Sequence, residues 1–311
     1  MASGIALLGA CGGAAREGAA PDPGAGWTSL GAQHPVPTVA PSTTPTERAR
    51  VEPLPLEACG DVEDGFEGWL EGFRQHAIAG GISARTVGPA LDGLRYDPEV
   101  IALDRSQSSF KLSFAELSAK RITRARLARG KELLRAHGEL LGRIEERFGV
   151  APQVLVAIWG LETDYGENVG TRSSLRALAT LAWDCRRRDR FRGELLSALR
   201  IVDRGDLTPS QMIGAWAGEL GQTQFLPSSY ERFAIDFDGD GHVDLIRSSA
   251  DALGSTASYL QAHGWRAGEP FREGTANFEA LRGWNASEVY RRVIVAFAAK
   301  LPPSPRSAAK R

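Results

Sequence analysis

The sequence lacks the features that would place it at once in several broad classes. Its 311 residues carry a formal net charge of −1, so there is no polybasic signature and no nucleic-acid partner is expected. No apolar run reaches the roughly 20 residues that span a bilayer. Because 42% of the residues are hydrophobic, the chain can nevertheless bury a substantial core. These properties predict a soluble folded body.

Cysteine is also scarce, with three in the chain. The first, Cys11, ends the stretch MASGIALLGAC, which resembles the lipobox at which bacterial lipoproteins are cleaved and lipidated. This resemblance implies export and a lipid anchor at Cys11. Since Gly12 follows the cysteine, the implied location is the periplasmic face of the outer membrane. The alternative is a disordered tail rich in Ala and Gly.

Residues 12–60 form the next compositional segment. They are rich in Pro, Ala, Gly and Thr and show no apolar periodicity. Such a segment cannot bury enough apolar surface to offset the entropy lost on ordering. We therefore predict a disordered tether over residues 12–60.

A mainly α-helical body is predicted over residues 61–301, with a disordered tail over residues 302–311. Few segments alternate with a period of two, whereas apolar residues at helical spacing recur along the body. One such helix starts near Phe66 and stops at Gly80 and Gly81.

A long helical pattern follows Ser113 and continues to about residue 149. Ser113 and Glu116 have the spacing of a capping box, which marks the start of a helix. Gly130 and Gly138 are the residues at which this pattern is expected to divide into two or three helices.

Three further helices are predicted along the chain. Pro152 lies in the first turn of one of them. Thr208, Pro209 and Gln211 give a second capping-box pattern, from which a helix is expected to continue through MIGAWAGELGQ. The last covers ADALGSTASYLQAHG and stops at Gly264.

The stretch VLVAIWGLETDYGENVG carries an acidic residue where burial is expected. Apolar residues fill almost every position from Val154 to Leu161, so this helix should be buried on all sides, yet it ends in Glu162. Desolvation raises the pKa of a carboxyl group toward the range in which a general acid works at neutral pH. Glu162 is therefore a candidate catalytic acid. The alternative is a helix cap or a surface partner.

A second stretch, AGELGQTQFLPSSY, has the composition of a polar ligand groove. It is dense in Gly, Gln, Ser and aromatic residues. Gln222 and Gln224 offer amide donors and acceptors, and Phe225 offers a flat apolar face of the kind that sugars contact. Tyr230 has the same chemistry, but core packing is the stronger interpretation there.

The segment DFDGDGHVD has the spacing of an EF-hand-like loop, predicted over residues 236–251. Position 12 is Arg247 instead of the glutamate of a regular EF-hand, so a late ligand is expected from the following helix. The expected ligands all offer oxygen and are Asp236, Asp238, Asp240, His242 through its carbonyl group, and Asp251. The sequence thus predicts a structural Ca2+ ion and no organic cofactor. The alternative is an Asp-rich turn without a metal.

Several of these motifs together resemble the membrane-bound lytic murein transglycosylase B family. They are IWGLETDYG, DCRRRDRF, AGELGQTQFLPSSY, the Asp-rich loop and ASYLQAHGW, and the resemblance extends from about Phe66 to Leu301. It implies a lysozyme-like catalytic domain, with its core at about residues 145–268, that acts on peptidoglycan glycan strands. We expect the protein to be a monomer.

The resemblance also implies residue roles. Glu162 would be the single catalytic acid and base. The residues that would contact the saccharide are Arg186, Arg187, Gln224, Phe225, Tyr259, Asn285 and Tyr290. Two positions depart from the family pattern: Leu117 stands where an aromatic residue is expected, and Glu219 replaces a small or apolar residue.

The implied reaction is cleavage of the bond between N-acetylmuramic acid and N-acetylglucosamine, with formation of a 1,6-anhydromuramyl end. One rival is a muramidase that hydrolyses this bond with Asp164 or Glu219 as a second carboxylate. Asp164 would face away from Glu162 if the helix continued past it. Another rival is a non-catalytic, calcium-stabilised lipoprotein that binds the cell wall.

Cys59 and Cys185 remain as a pair if Cys11 is acylated. In an oxidising compartment they could form a disulfide bond at the start of the folded body. Two unpaired thiols are the alternative, and the sequence leaves both open.

Overall fold

The fold is seen in a computed structural model that describes residues 53–106 and 112–303. Within these ranges the chain forms thirteen α-helices and one two-stranded sheet, which confirms the predicted mainly helical fold. The predicted lipobox and residues 12–52 of the predicted tether lie outside the described residues, as does the chain from residue 304.

The elements follow one another with short connections. In chain order they are α1 (Phe66–Ala79), α2 (Ala84–Leu91), α3 (Pro98–Arg105), α4 (Phe114–Arg121), α5 (Arg124–Ala136), α6 (Gly138–Phe148), α7 (Pro152–Thr163), β1 (Arg172–Ser173), α8 (Ser174–Trp183), α9 (Arg188–Arg204), β2 (Ile213–Gly214), α10 (Pro227–Phe233), α11 (Ser249–Ala262), α12 (Ala276–Trp284) and α13 (Glu288–Ala298). Strands β1 and β2 are antiparallel.

Helix α7 lies at the centre of the core. It begins with Pro152, and all of its residues except Glu162 are buried, as the sequence predicts. Helices α5, α6, α11 and α13 pack against it. Because α7 has neighbours on every side, the acidic residue near its end is held by several different elements.

The local start and stop signals are largely confirmed. Helix α1 ends before Gly80, and the capping box of Ser113 and Glu116 starts α4. The long pattern divides at Gly138, as predicted, and also before Thr123, but not at Gly130. Gly130 lies inside α5, where the absence of a side chain makes room for the Tyr165 hydroxyl group; a Cβ atom would lie 2.6 Å from that oxygen.

The helix predicted from Thr208 through residue 222 is wrong. The capping box of Thr208 and Gln211 is present, but it starts only one 3-10 turn, Pro209–Gln211. The chain then enters β2 and a tight loop in which Gly218 and Gly221 have φ values of 88° and 79°. At Gly214 a Cβ atom would lie 1.9 Å from the Glu219 carbonyl oxygen, so the glycines favour this loop over a helix.

The folded body begins before the predicted boundary at residue 61. The Leu54 N–H donates to the Gly68 carbonyl at 2.9 Å, and the Gly60 N–H donates to the Trp183 carbonyl at 3.1 Å. Cys59 and Cys185 form a disulfide bond that spans 126 residues. The sequence left open whether these cysteines are bonded or free, and in the structure they are bonded.

None of the helices in residues 53–106 and 112–303 is long and apolar enough to cross a membrane.

Candidate active site

The backbone after Glu162 turns sharply away from α7. The helix ends at Thr163, and Asp164 and Tyr165 both have left-handed backbone conformations, with φ of 51° and 65°. The Tyr165 ring folds back onto Gly160, where a Cβ atom would lie 2.7 Å from the ring. Such conformations are uncommon for residues other than glycine and are concentrated at functional sites. The turn leaves Glu162 as the last acidic side chain carried by the helix itself.

Two side chains from the C-terminal helices hold the Glu162 carboxyl group. The Trp284 indole N–H donates to Glu162 Oε1 at 3.1 Å, and the Tyr290 hydroxyl group donates to the same oxygen at 2.9 Å. No side chain among residues 53–106 and 112–303 is seen to donate to Oε2. Glu162 is half-buried, whereas Trp284 and Tyr290 are buried. We call these three residues the Glu162 site.

The surroundings of Glu162 favour its protonated form. Desolvation by the neighbouring protein raises the pKa of Glu162 above its ordinary value. The hydrogen bonds from Trp284 and Tyr290 act in the opposite direction, as does the positive charge of Arg121 at the end of α4. Burial and the charge of Glu162 raise the pKa of Tyr290, so that Tyr290 remains a hydrogen-bond donor.

The aromatic residues predicted to contact sugar form a buried cluster behind Trp284. Phe225 and Tyr259 are 2% and 3% exposed. Their ring centroids lie 5.5 Å and 5.4 Å from that of Trp284, and the Tyr259 hydroxyl group donates to the Gly283 carbonyl. Neither ring has a free face, and both rings pack against Trp284.

The two glutamines of the groove-like stretch connect the site to its surroundings. Gln224 has a φ of 59°, and its amide N–H2 donates to the Val169 and Gly221 carbonyls. Gln222 is buried, and its carbonyl oxygen accepts from the Thr163 hydroxyl group, next to Glu162. The Gln222 backbone carbonyl thus ties the loop to the end of α7, and the Gln224 side chain ties it to the segment that follows α7.

Asn285 and Tyr230 also serve the fold. Asn285 is buried, and its side-chain oxygen accepts from the Ser287 N–H at the start of α13. Tyr230 is fully buried and donates to the Val243 carbonyl at 2.6 Å, in agreement with its interpretation as core.

The predicted saccharide contacts Arg186 and Arg187 are held by one buried carboxylate, that of Asp104. Arg186 and Arg187 both donate to the carboxylate of Asp104, which is 1% exposed and also accepts from Arg105. Arg105 in turn donates to Asp184. The sequence did not single out Asp104, because an acidic residue at an amphipathic helix end has no distinctive signal.

The two candidate second carboxylates have different environments. Asp164 forms an ion pair with Arg126. Glu219 is 3% exposed, and burial raises its pKa to about 7, with a further contribution from the charge of Glu162. Asp164 is therefore held by a cation, whereas Glu219 interacts electrostatically with the Glu162 site.

Three of the predicted calcium ligands lie together. Oxygen atoms of Asp236, Asp238 and Asp251 are within 4.8 Å of one another. The Asp240 carboxylate lies outside this group and accepts from the His242 N–H at 2.8 Å. Desolvation raises the pKa of Asp251, and the charge of Asp238 adds to this effect. Converging carboxylates of this kind fit a hard cation with oxygen ligands, which would relieve their repulsion.

Sequence reasoning missed Trp284 and Arg121. Trp284 lies 122 residues from Glu162 in the chain, and only the tertiary fold brings the two together. The family resemblance points to the neighbouring Asn285 and Tyr290, but a tryptophan at the end of a helix is ordinarily part of the core. Arg121 lies in a stretch with many charged residues, where no single cation stands out.

The sequence of this chain is similar to a known protein family and to a curated protein. The family model for the Transglycosylase SLT domain matches residues 65–273 of this chain. Membrane-bound lytic murein transglycosylase B of Escherichia coli strain K12 is 39% identical over 151 residues, which are 48% of this chain and 42% of that protein. The match thus spans less than half of the length of this curated relative.

Solved structures share the fold over most of the chain. SltB3 from Pseudomonas aeruginosa, in complex with NAG-anhNAM-pentapeptide, has a TM-score of 0.71 and 34% identity, over 76% of this chain and 79% of that one. The Escherichia coli lytic transglycosylase Slt35, in complex with calcium, has a TM-score of 0.67 and 25% identity, over 74% and 91% of the two chains.

The fold and the site define the class of protein: a mainly helical body of the lytic transglycosylase type, built around a buried helix that carries one desolvated glutamate. Since the family model matches well over half of the chain, this chain belongs to the transglycosylase SLT domain family.

Proposed function

We propose that this protein is a peptidoglycan lytic transglycosylase and that Glu162 is its single catalytic acid and base. The carrying observation is the half-buried Glu162 carboxyl group, which is desolvated and accepts hydrogen bonds from Trp284 and Tyr290 on one oxygen. Since Oε1 accepts both of these hydrogen bonds, we assign the transferred proton to Oε2.

The proposed reaction needs one carboxyl group because the nucleophile belongs to the substrate. Protonated Glu162 donates its proton to the oxygen between N-acetylmuramic acid and N-acetylglucosamine as the bond from that oxygen to muramic C1 breaks. The resulting carboxylate then accepts the proton of the muramic C6 hydroxyl group as O6 bonds to C1. The product is a 1,6-anhydromuramyl end, and no water is consumed.

The relatives support this chemistry. The complex of SltB3 contains NAG-anhNAM-pentapeptide, a ligand with an anhydro sugar. The ion pair between Asp164 and Arg126 disfavours Asp164 as the base that hydrolysis would require.

We further propose that Arg186, Arg187 and Gln224 contact the saccharide. Both arginines are partly exposed and keep a fixed position through Asp104. Phe225 and Tyr259 are buried beneath Trp284 and support the site from behind.

The test of the proposed function is mass spectrometry of purified sacculi digested by the protein. We expect muropeptides that end in anhydromuramic acid, each lighter by one water than the hydrolytic product. Reducing muramyl ends would instead identify a muramidase, and intact sacculi would identify a wall-binding protein.

For the Asp-rich loop we propose a structural Ca2+ ion held by Asp236, Asp238 and Asp251. The loop is linked to the Glu162 site, because Gln222 donates to the Leu245 and Ile246 carbonyls and accepts from Thr163. A cation here would supply no chemistry to the reaction. It would hold the loop, and through Gln222 it would hold the end of α7.

For the cellular location we propose a lipid anchor at Cys11 on the periplasmic face of the outer membrane, with residues 12–52 as the tether of a monomeric enzyme. The lipobox-like stretch supports this, and so does the membrane-bound relative. Expression of the full gene should place the wild-type protein in the membrane fraction and Cys11→Ser in the soluble fraction. Equal fractionation of the two would contradict the anchor.

A further inference from the structure

Glu219 is a second buried carboxyl group near the Glu162 site, and the proposed reaction does not use it. It lies in the tight loop after β2, where Gly218 has a φ of 88° and the Ala215 N–H donates to the Glu219 carbonyl. The Glu219 side chain folds back, so that Oε2 accepts from the Ala217 N–H at 3.2 Å. Oε1 is buried and has no hydrogen-bond partner among residues 53–106 and 112–303. A buried polar atom without a partner is costly and calls for an explanation.

The loop places Glu219 behind the Glu162 site through three successive contacts. Leu220, the next residue, exchanges two backbone hydrogen bonds with Phe225 at 2.8 Å and 2.9 Å. The Phe225 ring packs against Trp284, and Trp284 donates to Glu162. The electrostatic repulsion between Glu219 and Glu162 agrees with this placement.

The charges that face the two carboxyl groups come from separate elements. Glu162 faces the donors Trp284 and Tyr290 and the cation Arg121. The negative charge of Glu219 raises the pKa of Arg187. The positive charge of Arg190, in α9, lowers the pKa of Glu219.

Neither arginine is bonded to Glu219. Arg187 donates to Asp104, and within the described part of the chain Arg187 Nε and Arg190 Nη2 are buried without a hydrogen-bond partner. Glu219 is therefore held close to cations but is not neutralised by a direct ion pair. Its charge remains available to act on Glu162.

We propose that Glu219 is a positioning residue for catalysis: its charge controls the charge state of Glu162 and keeps the proton on the general acid as the pH rises. This inference rests on the proposed role of Glu162. In this role Glu219 takes no proton from substrate or water.

The direction of the effect follows from the repulsion alone. The state in which both carboxyl groups are ionised is disfavoured relative to two independent groups. At any pH in the titration range, the fraction of molecules with protonated Glu162 is thus larger with Glu219 than with an uncharged residue in its place. This holds whichever carboxyl group carries the shared proton. Activity that depends on protonated Glu162 should therefore persist to higher pH in wild type than in a variant with an uncharged residue at position 219.

The experiment is the pH dependence of kcat/KM for wild type and Glu219→Gln on soluble glycan strands. We expect the basic limb of the variant to move to lower pH by on the order of one pH unit, with the melting temperature measured in parallel. The matched control is Glu194→Gln, which also removes a buried carboxylate but one that accepts from Ser228. Its basic limb should stay in place.

A second measurement covers the case in which Glu219→Gln does not fold. In protein with 13C-labelled glutamate carboxyl groups, the NMR titration of Glu219 should shift to lower pH in Glu162→Gln than in wild type. An unchanged titration of Glu219, or a basic limb that does not move in folded Glu219→Gln, would overturn the proposal.

Product analysis separates this inference from the proposed function. Glu219→Gln should give the same ratio of anhydro to reducing ends as wild type. A selective loss of reducing ends would show that Glu219 delivers water, and this would also overturn the inference. If wild type itself yielded no anhydro ends, the proposed function would fail, whereas the coupling seen by NMR would be unaffected.

Discussion

Removal of the Tyr290 hydroxyl group should raise the pKa of Glu162 and extend activity to higher pH. This hydroxyl group donates to Glu162 Oε1 at 2.9 Å, and the bond lowers the pKa of Glu162 by stabilising its ionised form. A hydrogen bond to a charged group contributes about 1.5–3 kcal/mol. At about 1.36 kcal/mol per pKa unit, loss of the full contribution corresponds to about 1–2 units.

In Tyr290→Phe, the rise in the pKa of Glu162 should lie near the lower end of this range. The reason is that Glu162 is half-buried and Trp284 still donates to the same oxygen. The assay is the pH dependence of kcat/KM on soluble glycan strands, in which the basic limb reports the general acid of the free enzyme. We expect this limb to move up by about one pH unit, in the opposite direction from Glu219→Gln.

The matched control is Tyr96→Phe, which removes a buried hydroxyl group that donates to the Asp61 carbonyl at 2.6 Å. It should affect stability without moving the limb. A limb that stays in place or moves down in folded Tyr290→Phe would refute the assignment of Tyr290 as a donor to the catalytic carboxylate.

Three further predictions concern the supports of the site. Asp104→Asn should raise KM more than it lowers kcat and should destabilise the fold by about 1.5–3 kcal/mol, because the buried side chain loses its charge-assisted hydrogen bonds with the partly exposed Arg186 and Arg187. Calcium should raise the melting temperature of wild type but not that of Asp238→Ala, which lacks one of the converging carboxylates. Cys59→Ser should lower the unfolding free energy by about 2–5 kcal/mol, since the disulfide closes a loop of 126 residues.

Each of these has a control. Asp92→Asn breaks an exposed ion pair with Arg74 and should leave KM and stability nearly unchanged. Asp189→Ala removes an exposed acid far along the chain from the Asp-rich loop and should retain the calcium response. Titration of the denatured, unreduced protein should find Cys59 and Cys185 unreactive, and two free thiols from this pair would contradict the bond.

Local features of the fold were predictable from the sequence because their signals lie within a few residues. The capping box of Ser113 and Glu116 fixes the start of α4 by contacts that span three residues. The uniformly apolar run before Glu162 similarly predicts that α7 is buried on all sides.

The loop after β2 could not be predicted in the same way. The capping box at Thr208 is a real helix-start signal, but it does not specify how long the helix continues. That is decided by the close approach of Gly214 to the Glu219 backbone and by the left-handed conformations of Gly218 and Gly221. Glycine tolerates a close backbone approach and a left-handed conformation. A glycine in a sequence does not, however, require either of them.

The partners of Glu162 also lay beyond sequence reasoning. Residue type suggested that Phe225 offers a face to a sugar, and the family resemblance implied a sugar contact for Tyr259, but an aromatic residue in a sequence does not reveal which way its side chain points. The structure buries both rings behind Trp284 and directs Tyr290 onto Glu162. Hydrogen bonds across 122 and 128 residues depend on how α12 and α13 pack, and no local pattern encodes that packing.

The central claim is that Glu162 alone supplies and accepts the proton, and Glu162→Gln tests it most directly. The amide keeps the shape of the side chain but cannot donate the proton, so the rate at which anhydromuramyl ends form on purified glycan strands should fall by roughly 100 to 10,000-fold. The melting temperature and the binding of glycan strands should be retained. A folded Glu162→Gln variant that keeps more than about a tenth of the wild-type rate would contradict the account.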